Sequence, residues 1–192
     1  LYKINGFSDT RVELNFKIAG NEVRPVYFIE EGKQEVIENI SVEGFRLFSQ
    51  ERLLGELSSF QGGPFFQPSI QKDIENLEIF YLNQGVRGTK IRAEVQSNGD
   101  DLFSVTFRIN EGKKVKIENI IITGNEVTRK GIILRELLVK ESDYALYESI
   151  RETKRRLERL GVFTEVKIEE ILISPDKENL LINLREGERN YA

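Results

Sequence analysis

The stretch Val105–Gly124, VTFRINEGKKVKIENIIITG, decides the fold because its parts recur elsewhere in the chain. The tetrapeptide IENI occurs at 37–40 and again at 117–120, and a glycine follows each copy four residues on. A closing signature, an Ile or Leu followed two residues later by Glu-Gly, appears three times, at 29–32, 109–112 and 184–187. These matches indicate a two-fold repeat preceded by the end of a third copy.

The spacing between the copies also predicts where they differ in length. Leu57 matches Leu137 at the same spacing as the two IENI segments, whereas Gly85 matches Gly161 at a spacing that is four residues shorter. We therefore expect a loop that is four residues longer in the first copy. The predicted domains are residues 1–33, which form the C-terminal hairpin of a truncated repeat, and then 34–113 and 114–192, the two complete repeats.

Composition narrows the range of functions. Charged residues make up 31% of the 192 residues and hydrophobic ones 39%, which is typical of a folded, water-exposed domain. A net charge of −4 argues against a general polyanion binder. The chain has no cysteine and no histidine, so thiolate metal sites, thiol nucleophiles and histidine bases are excluded. Because the sequence begins at Leu1 and contains no Met, we expect it to be part of a longer chain.

The N-terminal region predicts a β-hairpin. The predicted hairpin spans residues 7–29. Within it, residues 11–18 alternate polar and apolar side chains at a period of two, which favours a half-buried strand. Residues 19–22 form the expected turn. Pro25 lacks an N–H for the strand ladder and therefore predicts a bulge or a late start of the return strand.

Both complete repeats predict the element order β-α-α-β-β. In the first, Ser49 caps a helix, Pro68 opens the next one, and Asn98-Gly99 marks a tight hairpin turn. In the second, the strand at 115–122 precedes helices at 128–140 and 147–160 and a hairpin of strands 162–173 and 180–184. The predicted fold class is α+β, with tandem units that each have a small mixed three-stranded sheet and two helices on one face.

Three spaced motifs carry a family resemblance. The first is Ile-x-Ile-x-Gly-Asn at 120–125, the second is Leu-x-x-Leu-Gly-x-Phe-x-x-Val at 157–166, and the third is the closing Glu-Gly. In this order they resemble the POTRA (polypeptide-transport-associated) family, over essentially the whole chain. The first repeat departs from the pattern at Gly44-Phe45, where the motif has Gly-Asn.

The resemblance implies a function that the residues alone do not show. POTRA units form a periplasmic array at the outer membrane, as part of factors that assemble β-barrel proteins there. The implied partners are unfolded outer-membrane protein precursors, accessory assembly subunits and a C-terminal membrane β-barrel of the same full-length chain, with no cofactor. The alternative is a TamA-like or two-partner secretion transporter whose repeats act as a docking scaffold.

Two sets of residues are candidates for partner binding. An edge strand offers unpaired backbone groups to which an extended segment can add, and its outward side chains would then line the contact. Equally, charged outward side chains are typical of a solvated, protected edge. The aromatic loop residues either contact a partner or pack over the helix ends. The strand candidates are Lys90, Arg92, Glu94, Gln96, Lys167 and Glu169, and the loop candidates are Phe60, Phe65 and Phe66.

Nucleic-acid binding and catalysis find little support. The sequence Gly-Val-Arg-Gly at 85–88 matches the GxxG of KH domains, but it would join a helix to a strand here, and its second copy lacks the last glycine. A helix cap explains it better. No carboxylate pair or Ser-Lys pair recurs at matching positions in both repeats, so we expect no enzymatic activity and no metal site.

Overall fold

The computed structural model of the chain describes residues 1–20 and 22–187. The chain forms two compact units, and each is described by itself. Unit 1 comprises Leu1–Leu77 and Ile91–Asn110, and unit 2 comprises Glu78–Lys90 and the chain from Glu111 onward. Among the described residues no helix combines the length and the apolar character needed to cross a membrane.

The elements follow the predicted order. After a short 3-10 helix at Lys3–Asn5, the first half of the chain contains β1 (Arg11–Ala19), β2 (Glu22–Glu30), β3 (Val36–Glu43), α1 (Gln50–Leu54), α2 (Gln67–Asn83), β4 (Val86–Arg87), β5 (Lys90–Gly99) and β6 (Leu102–Asn110). The second half contains β7 (Lys113–Lys114), β8 (Lys116–Thr123), α3 (Lys130–Glu136), α4 (Tyr147–Arg159), β9 (Phe163–Ser174) and β10 (Lys177–Glu186).

Each unit is built on a mixed three-stranded sheet. The strand order is β3-β6-β5 in unit 1 and β8-β10-β9 in unit 2. The first strand of each repeat runs parallel to the last, as β3 does to β6 and β8 to β10, whereas β9 is antiparallel to β10. This confirms the predicted fold class.

The core of each unit lies between its sheet and its helices. In both units most of the fully buried side chains come from the first strand, the two helices and the last strand, and they are almost all aliphatic. In unit 1 they include Ile37, Leu53, Ile70, Leu77, Val105 and Phe107. In unit 2 they include Ile117, Ile133, Ile150, Leu157, Leu180 and Ile182.

The four residues by which the repeats differ lie in α2. The backbone bridge between Val36 and Pro64 has its counterpart between Lys116 and Tyr144, at the same spacing as the two IENI segments. α2 and α4 also start at matching positions, but α2 has 17 residues and α4 has 13. The expected longer loop is therefore wrong, and the extra residues form about one more helical turn at the end of α2. That added turn belongs to unit 2.

The turn of the β5–β6 hairpin lies two residues later than predicted. Asn98 and Gly99 still belong to β5, and the turn consists of Asp100 and Asp101, whose φ angles are 50° and 63°. The predicted position is wrong because Asp tolerates the left-handed region almost as Asn does. The carbonyl of Asp101 also accepts a hydrogen bond from Val36 N at 2.8 Å, which ties this turn to β3.

The ends of the short helices are set by polar side chains. α1 starts as predicted, because Ser49 Oγ accepts a hydrogen bond from Arg52 N at 3.3 Å. α3 is shorter than the predicted 128–140, because Leu137 has extended backbone (φ −74°, ψ 130°). The next amide, Leu138 N, donates to the buried Thr153 Oγ1 of α4 at 3.0 Å.

In the first repeat, Asp73 of α2 occupies the position of Thr153 and likewise accepts hydrogen bonds from the segment that follows the preceding helix. Its side chain is fully buried on α2. Its carboxylate accepts hydrogen bonds from Ser58 N at 2.7 Å, Ser58 Oγ at 2.6 Å and Ser59 N at 3.1 Å. Because a buried carboxylate is costly without such partners, Asp73 and the loop at 58–59 stabilise each other.

The N-terminal hairpin has an apolar face that is exposed in the described chain. β1 and β2 pair in continuous register from Arg11↔Glu30 to Ala19↔Glu22, and β2 begins before Pro25. Both alternatives predicted from Pro25, a bulge and a late strand start, are therefore wrong. Counted from the closing pair, Phe16↔Pro25 is a non-hydrogen-bonded pair, which leaves the proline nitrogen facing outward. The predicted turn includes Asn21, which lies outside the described residues. The exposed apolar side chains on this face are Val12, Leu14, Phe16, Ile18, Val23, Tyr27 and Ile29.

Candidate partner-binding edges

β5 and β9 are outer strands of their sheets. Each pairs on one side only among the described strands, with β6 and β10 respectively. All six strand residues singled out from the sequence lie on these two strands, four on β5 and two on β9. The structure thus brings each set to a sheet edge, and β5 and β9 belong to different units.

On β5, Glu94 is held by neighbouring strands. Arg108 of β6 contacts Glu94 at 2.6 Å and Glu43 of β3 at 2.5 Å, so one guanidinium links all three strands. The hydrogen bond with Glu94 and the charges of both carboxylates raise the pKa of Arg108. Arg92 lies 3.6 Å from the same Glu94. Glu94 therefore belongs to a solvent-exposed ion-pair network, and Lys90 and Gln96 are exposed as well.

On β9, the two predicted residues pair with each other. Lys167 Nζ lies 2.5 Å from Glu169 Oε1, and this hydrogen bond raises the pKa of Lys167. Both side chains are well exposed, so the pair is a solvent-screened contact that adds little to stability. It leaves the backbone edge of β9 accessible.

The sequence analysis missed an apolar stretch at the end of β9. Ile171, Leu172 and Ile173 are 44%, 58% and 50% exposed, which is unusual for three consecutive aliphatic residues on an edge strand. The signal was present as an unbroken apolar run immediately before the turn at Pro175. The sequence analysis placed these residues in the first strand of the hairpin and did not consider their exposure.

The loop aromatics do not form one surface. Phe65 is buried and stacks on Phe103, with ring centroids 4.1 Å apart and planes 10° apart, so it is a core residue, in line with the packing alternative. Phe60 is 62% exposed and Phe66 is half-buried. A partner contact at these two remains a prediction.

A buried ionic cluster in unit 2 was also missed. Arg87 of β4 contacts Glu170 of β9 at 2.6 Å and Glu178 of β10 at 3.5 Å, and its guanidinium also donates to the backbone oxygens of Leu82 and Ala145. The side chain of Glu178 is only 2% exposed. Its burial, opposed by Arg87 and reinforced by the charge of Glu170, raises the pKa of Glu178 to about 7.

No metal centre is evident in the part of the chain that the structure describes. No group of three or more acidic residues there could hold a metal ion. The surface features that remain for a partner are strand edges, exposed apolar side chains and shallow grooves.

Comparison with known proteins decides the family. The model of the POTRA family, described as a surface antigen variable number repeat, matches residues 35–112 and 115–187.

The chain belongs to the POTRA family.

The structure explains why the POTRA motif has a glycine after the first strand. Gly44 and Gly124 have φ angles of 84° and 79°, where other residues are strained. A Cβ atom at Gly44 would lie 2.2 Å from Ile109 O, and one at Gly124 would lie 1.8 Å from Leu184 O. At both positions the first strand ends against the last strand of its own sheet, and only glycine permits this approach.

Several relatives of this POTRA chain are outer-membrane assembly factors. It is 25% identical over 158 residues to BamA, the outer membrane protein assembly factor of Nitratidesulfovibrio vulgaris, covering 80% of the chain and 20% of that relative. It is 29% identical over 129 residues to BamA of Neorickettsia risticii, covering 67% and 17%. With BamA of Neisseria meningitidis it shares 26% identity over 196 residues, covering 96% and 24%. The chain thus spans about a quarter or less of these relatives.

Solved structures support the POTRA fold. Units 3–5 of Haemophilus influenzae BamA match with a TM-score of 0.67 at 17% identity, covering 96% of this chain and 76% of that one. BamA of Haemophilus ducreyi lacking domains 1–3 matches with a TM-score of 0.71 at 18% identity, covering 79% and 29%. At these identities the likeness concerns the fold alone.

Proposed function

We propose that this chain is the periplasmic POTRA region of an outer-membrane β-barrel assembly factor, where it binds unfolded outer-membrane protein precursors and docks accessory subunits. The names of the curated relatives support the assembly role. The binding role rests on one observation: β5 is an outer strand of the sheet in unit 1, and β9 is an outer strand of the sheet in unit 2.

Binding takes place by β-augmentation. An unfolded barrel precursor contains strands with alternating side chains, and such a segment can extend a sheet by backbone hydrogen bonds alone. Main-chain pairing tolerates many sequences, which suits a receptor for many clients. The exposed aliphatic residues at 171–173 on β9 add a place for the apolar face of the client strand.

Accessory subunits dock elsewhere on the same region. Phe60 is the most exposed phenylalanine in the described chain. Its loop hydrogen-bonds to β3 through Gly62 N and Ile37 O, at the other end of the sheet from β5. Such an exposed aromatic side chain is typical of a protein contact. A Phe60→Ser variant should lose binding to a docked subunit while its binding of client peptides stays the same.

A cross-linking experiment tests the edge mechanism. The chain has no cysteine, so single cysteines can be placed at Gln96 on β5, at Lys167 on β9 and, as a control, at exposed Lys72 on α2. The probe is a nine-residue peptide from a barrel strand with one central cysteine. Its control has proline at alternate positions and cannot form a strand ladder.

The proposal predicts disulfide formation with the barrel peptide at Gln96→Cys or Lys167→Cys at least five times faster than at Lys72→Cys. The proline-containing peptide should show no such preference. Equal rates at all three positions would refute binding at β5 and β9.

A further inference from the structure

A groove on unit 2 lies beside β8, the strand at the other end of the sheet from β9. It has a volume of about 540 Å³ and runs between β8, α3 and the segment that follows α3. We name it the β8 groove. Its lining residues are Ile120, Lys130, Leu134, Leu137, Val139, Lys140 and Glu141.

The floor of the β8 groove is apolar and partly open. Val139 is buried, Leu137 and Ile120 are half-buried, and Leu134 is 47% exposed. Filling the groove with an apolar side chain would remove the open face of Leu134 from water, which is favourable.

The outer backbone edge of β8 is covered by a loop at its start and is not paired with another described strand beside the groove. At the start of the strand, Ile117 N donates to Asp143 O at 2.9 Å and Ile117 O accepts from Ser142 N at 2.7 Å, so the loop covers that part of the edge. Further along, Ile120 N donates to Glu141 Oε1 at 3.3 Å, which shows that this amide points away from β10. By the two-residue period, the backbone groups of Ile122 point the same way. No other described strand pairs with them there.

Two lysines give the rim of the β8 groove a positive charge. Lys130 and Lys140 are exposed, and neither is within salt-bridge distance of a carboxylate among the described residues. The one acidic residue of the rim, Glu141, is engaged by the amide of Ile120. In the first repeat the matching positions hold Gln50, Phe60 and Gln61, so this charge pattern occurs in unit 2 only.

We propose that the β8 groove binds an extended segment of a partner protein that has apolar side chains in its middle and acidic side chains at its ends. The segment pairs with the backbone at Ile120 and Ile122, replaces Glu141 as the acceptor for Ile120 N, and places an apolar side chain against Leu134. Its carboxylates lie near Lys130 and Lys140. An anionic lipid shares the charge and lacks the strand backbone, so the free edge favours a polypeptide.

The site is separate from the edges on which the proposed function depends. Strand addition at β5 and β9 does not involve Lys130 and Lys140, whereas binding in the β8 groove requires both lysines. Loss of binding at one therefore does not imply loss at the other.

The test uses a labelled nine-residue peptide with alternating leucine and threonine in its centre and two acidic residues at each end. Its counterpart carries lysine at the ends instead and measures any pairing with β5 or β9 that does not depend on the groove lysines. Binding to the full chain is measured by fluorescence anisotropy at low and at physiological salt. Vesicles containing anionic lipid serve as a second probe.

Two variants remove the groove's features, and two matched controls leave them. Lys130→Gln with Lys140→Gln removes the charge, and Lys72→Gln with Lys154→Gln removes two exposed lysines on α2 and α4. Leu134→Ser removes the apolar floor. Leu138→Ser changes a leucine of similar exposure, 42%, that does not line the groove. Urea midpoints confirm that all variants are folded.

We expect the acidic peptide to bind the unmodified chain in a saturable manner. Its affinity should be about tenfold weaker in the variant without the groove lysines and at least threefold weaker in Leu134→Ser. Both control variants should bind within twofold of the unmodified chain. Affinity should fall with salt. The proposal is overturned if no binding saturates, if the lysine-ended peptide binds as tightly, or if the controls lose as much affinity. It is also overturned if only the vesicles bind through the two lysines, since the groove would then be a lipid site.

Discussion

Replacing Glu178 by glutamine should remove a loss of stability that the unmodified chain shows as the pH rises. The carboxyl group is buried in unit 2, and its Oε1 has no hydrogen-bond partner in the part of the chain that the structure describes. Arg87 and Glu170 are the charged groups that affect it, with opposite effects. Burial dominates, so the neutral acid is preferred in the folded state.

The magnitude follows from the pKa. The pKa of Glu178 is about 7 in the folded chain, against the usual value of 4.5. Each pKa unit corresponds to about 1.4 kcal/mol, so complete ionisation costs the folded state roughly 3 kcal/mol. Because the folded state binds the proton more tightly, this stability is fully present below pH 4.5. It is lost as the pH rises from 4.5 through 7.

The assay is urea unfolding of the unmodified chain and of Glu178→Gln at several pH values from 4.5 to 8. Glutamine resembles the protonated acid and does not titrate, so the two chains should have similar free energies of unfolding at pH 4.5. At pH 8 the variant should be more stable by up to about 3 kcal/mol. Glu126→Gln, which removes an exposed carboxylate, serves as the control and should show no such difference. A difference that does not change with pH, or a variant less stable at pH 8, would refute the reasoning.

Three further changes test parts of the fold. Gly124→Ala should lower the free energy of unfolding by at least about 3 kcal/mol, because it combines a positive φ with a clash against a β10 carbonyl. The control is Gly131→Ala in α3, which has open space around it and should change the free energy of unfolding by less than about 1 kcal/mol. Urea unfolding measures both. Asp73→Ala should cost about 3 kcal/mol in the same assay, because it removes the buried carboxylate that accepts three hydrogen bonds from the loop at 58–59. A cost below about 1 kcal/mol would contradict that role. At the start of α4, the amide of Glu148 donates a hydrogen bond to Asn83 Oδ1. Asn83→Ala should therefore lower the free energy of unfolding by about 1 kcal/mol and speed hydrogen exchange at the Glu148 amide. Unchanged exchange would show that this hydrogen bond is unimportant.

Sequence patterns predicted the fold class because repeats, strand alternation and motif glycines are local signals. The element order predicted a mixed sheet, whereas the strand order and the parallel pairing of the first strand with the last are findings of the structure. The motif glycines were visible as a pattern, but the reason for them, the approach of Leu184 O to Gly124, depends on a strand at the far end of the repeat.

The errors have physical causes. The spacing showed that four extra residues precede Gly85 in the first repeat. It could not show whether they lengthen the loop or the helix, because either would give the same spacing between Gly85 and Gly161. The choice between Asn98-Gly99 and Asp100-Asp101 depended on β3, which binds the turn through Val36. Phe65 could not be separated from Phe60 by composition, because its burial depends on Phe103.

The candidate site was predictable only in outline. Alternation identified the outward residues of β5 and β9, but the ion pair of Glu94 with Arg108 requires the register of neighbouring strands. The Arg87 cluster joins residues that are far apart in the sequence, and no local pattern indicates it.

The most direct measurement of the central proposal is backbone amide NMR of this chain, titrated with a peptide from a strand of an outer-membrane barrel. We expect chemical-shift changes and amide protection concentrated along β5 or β9, in a saturable manner. A folded chain whose amides at both edges do not change at saturating peptide would contradict the account.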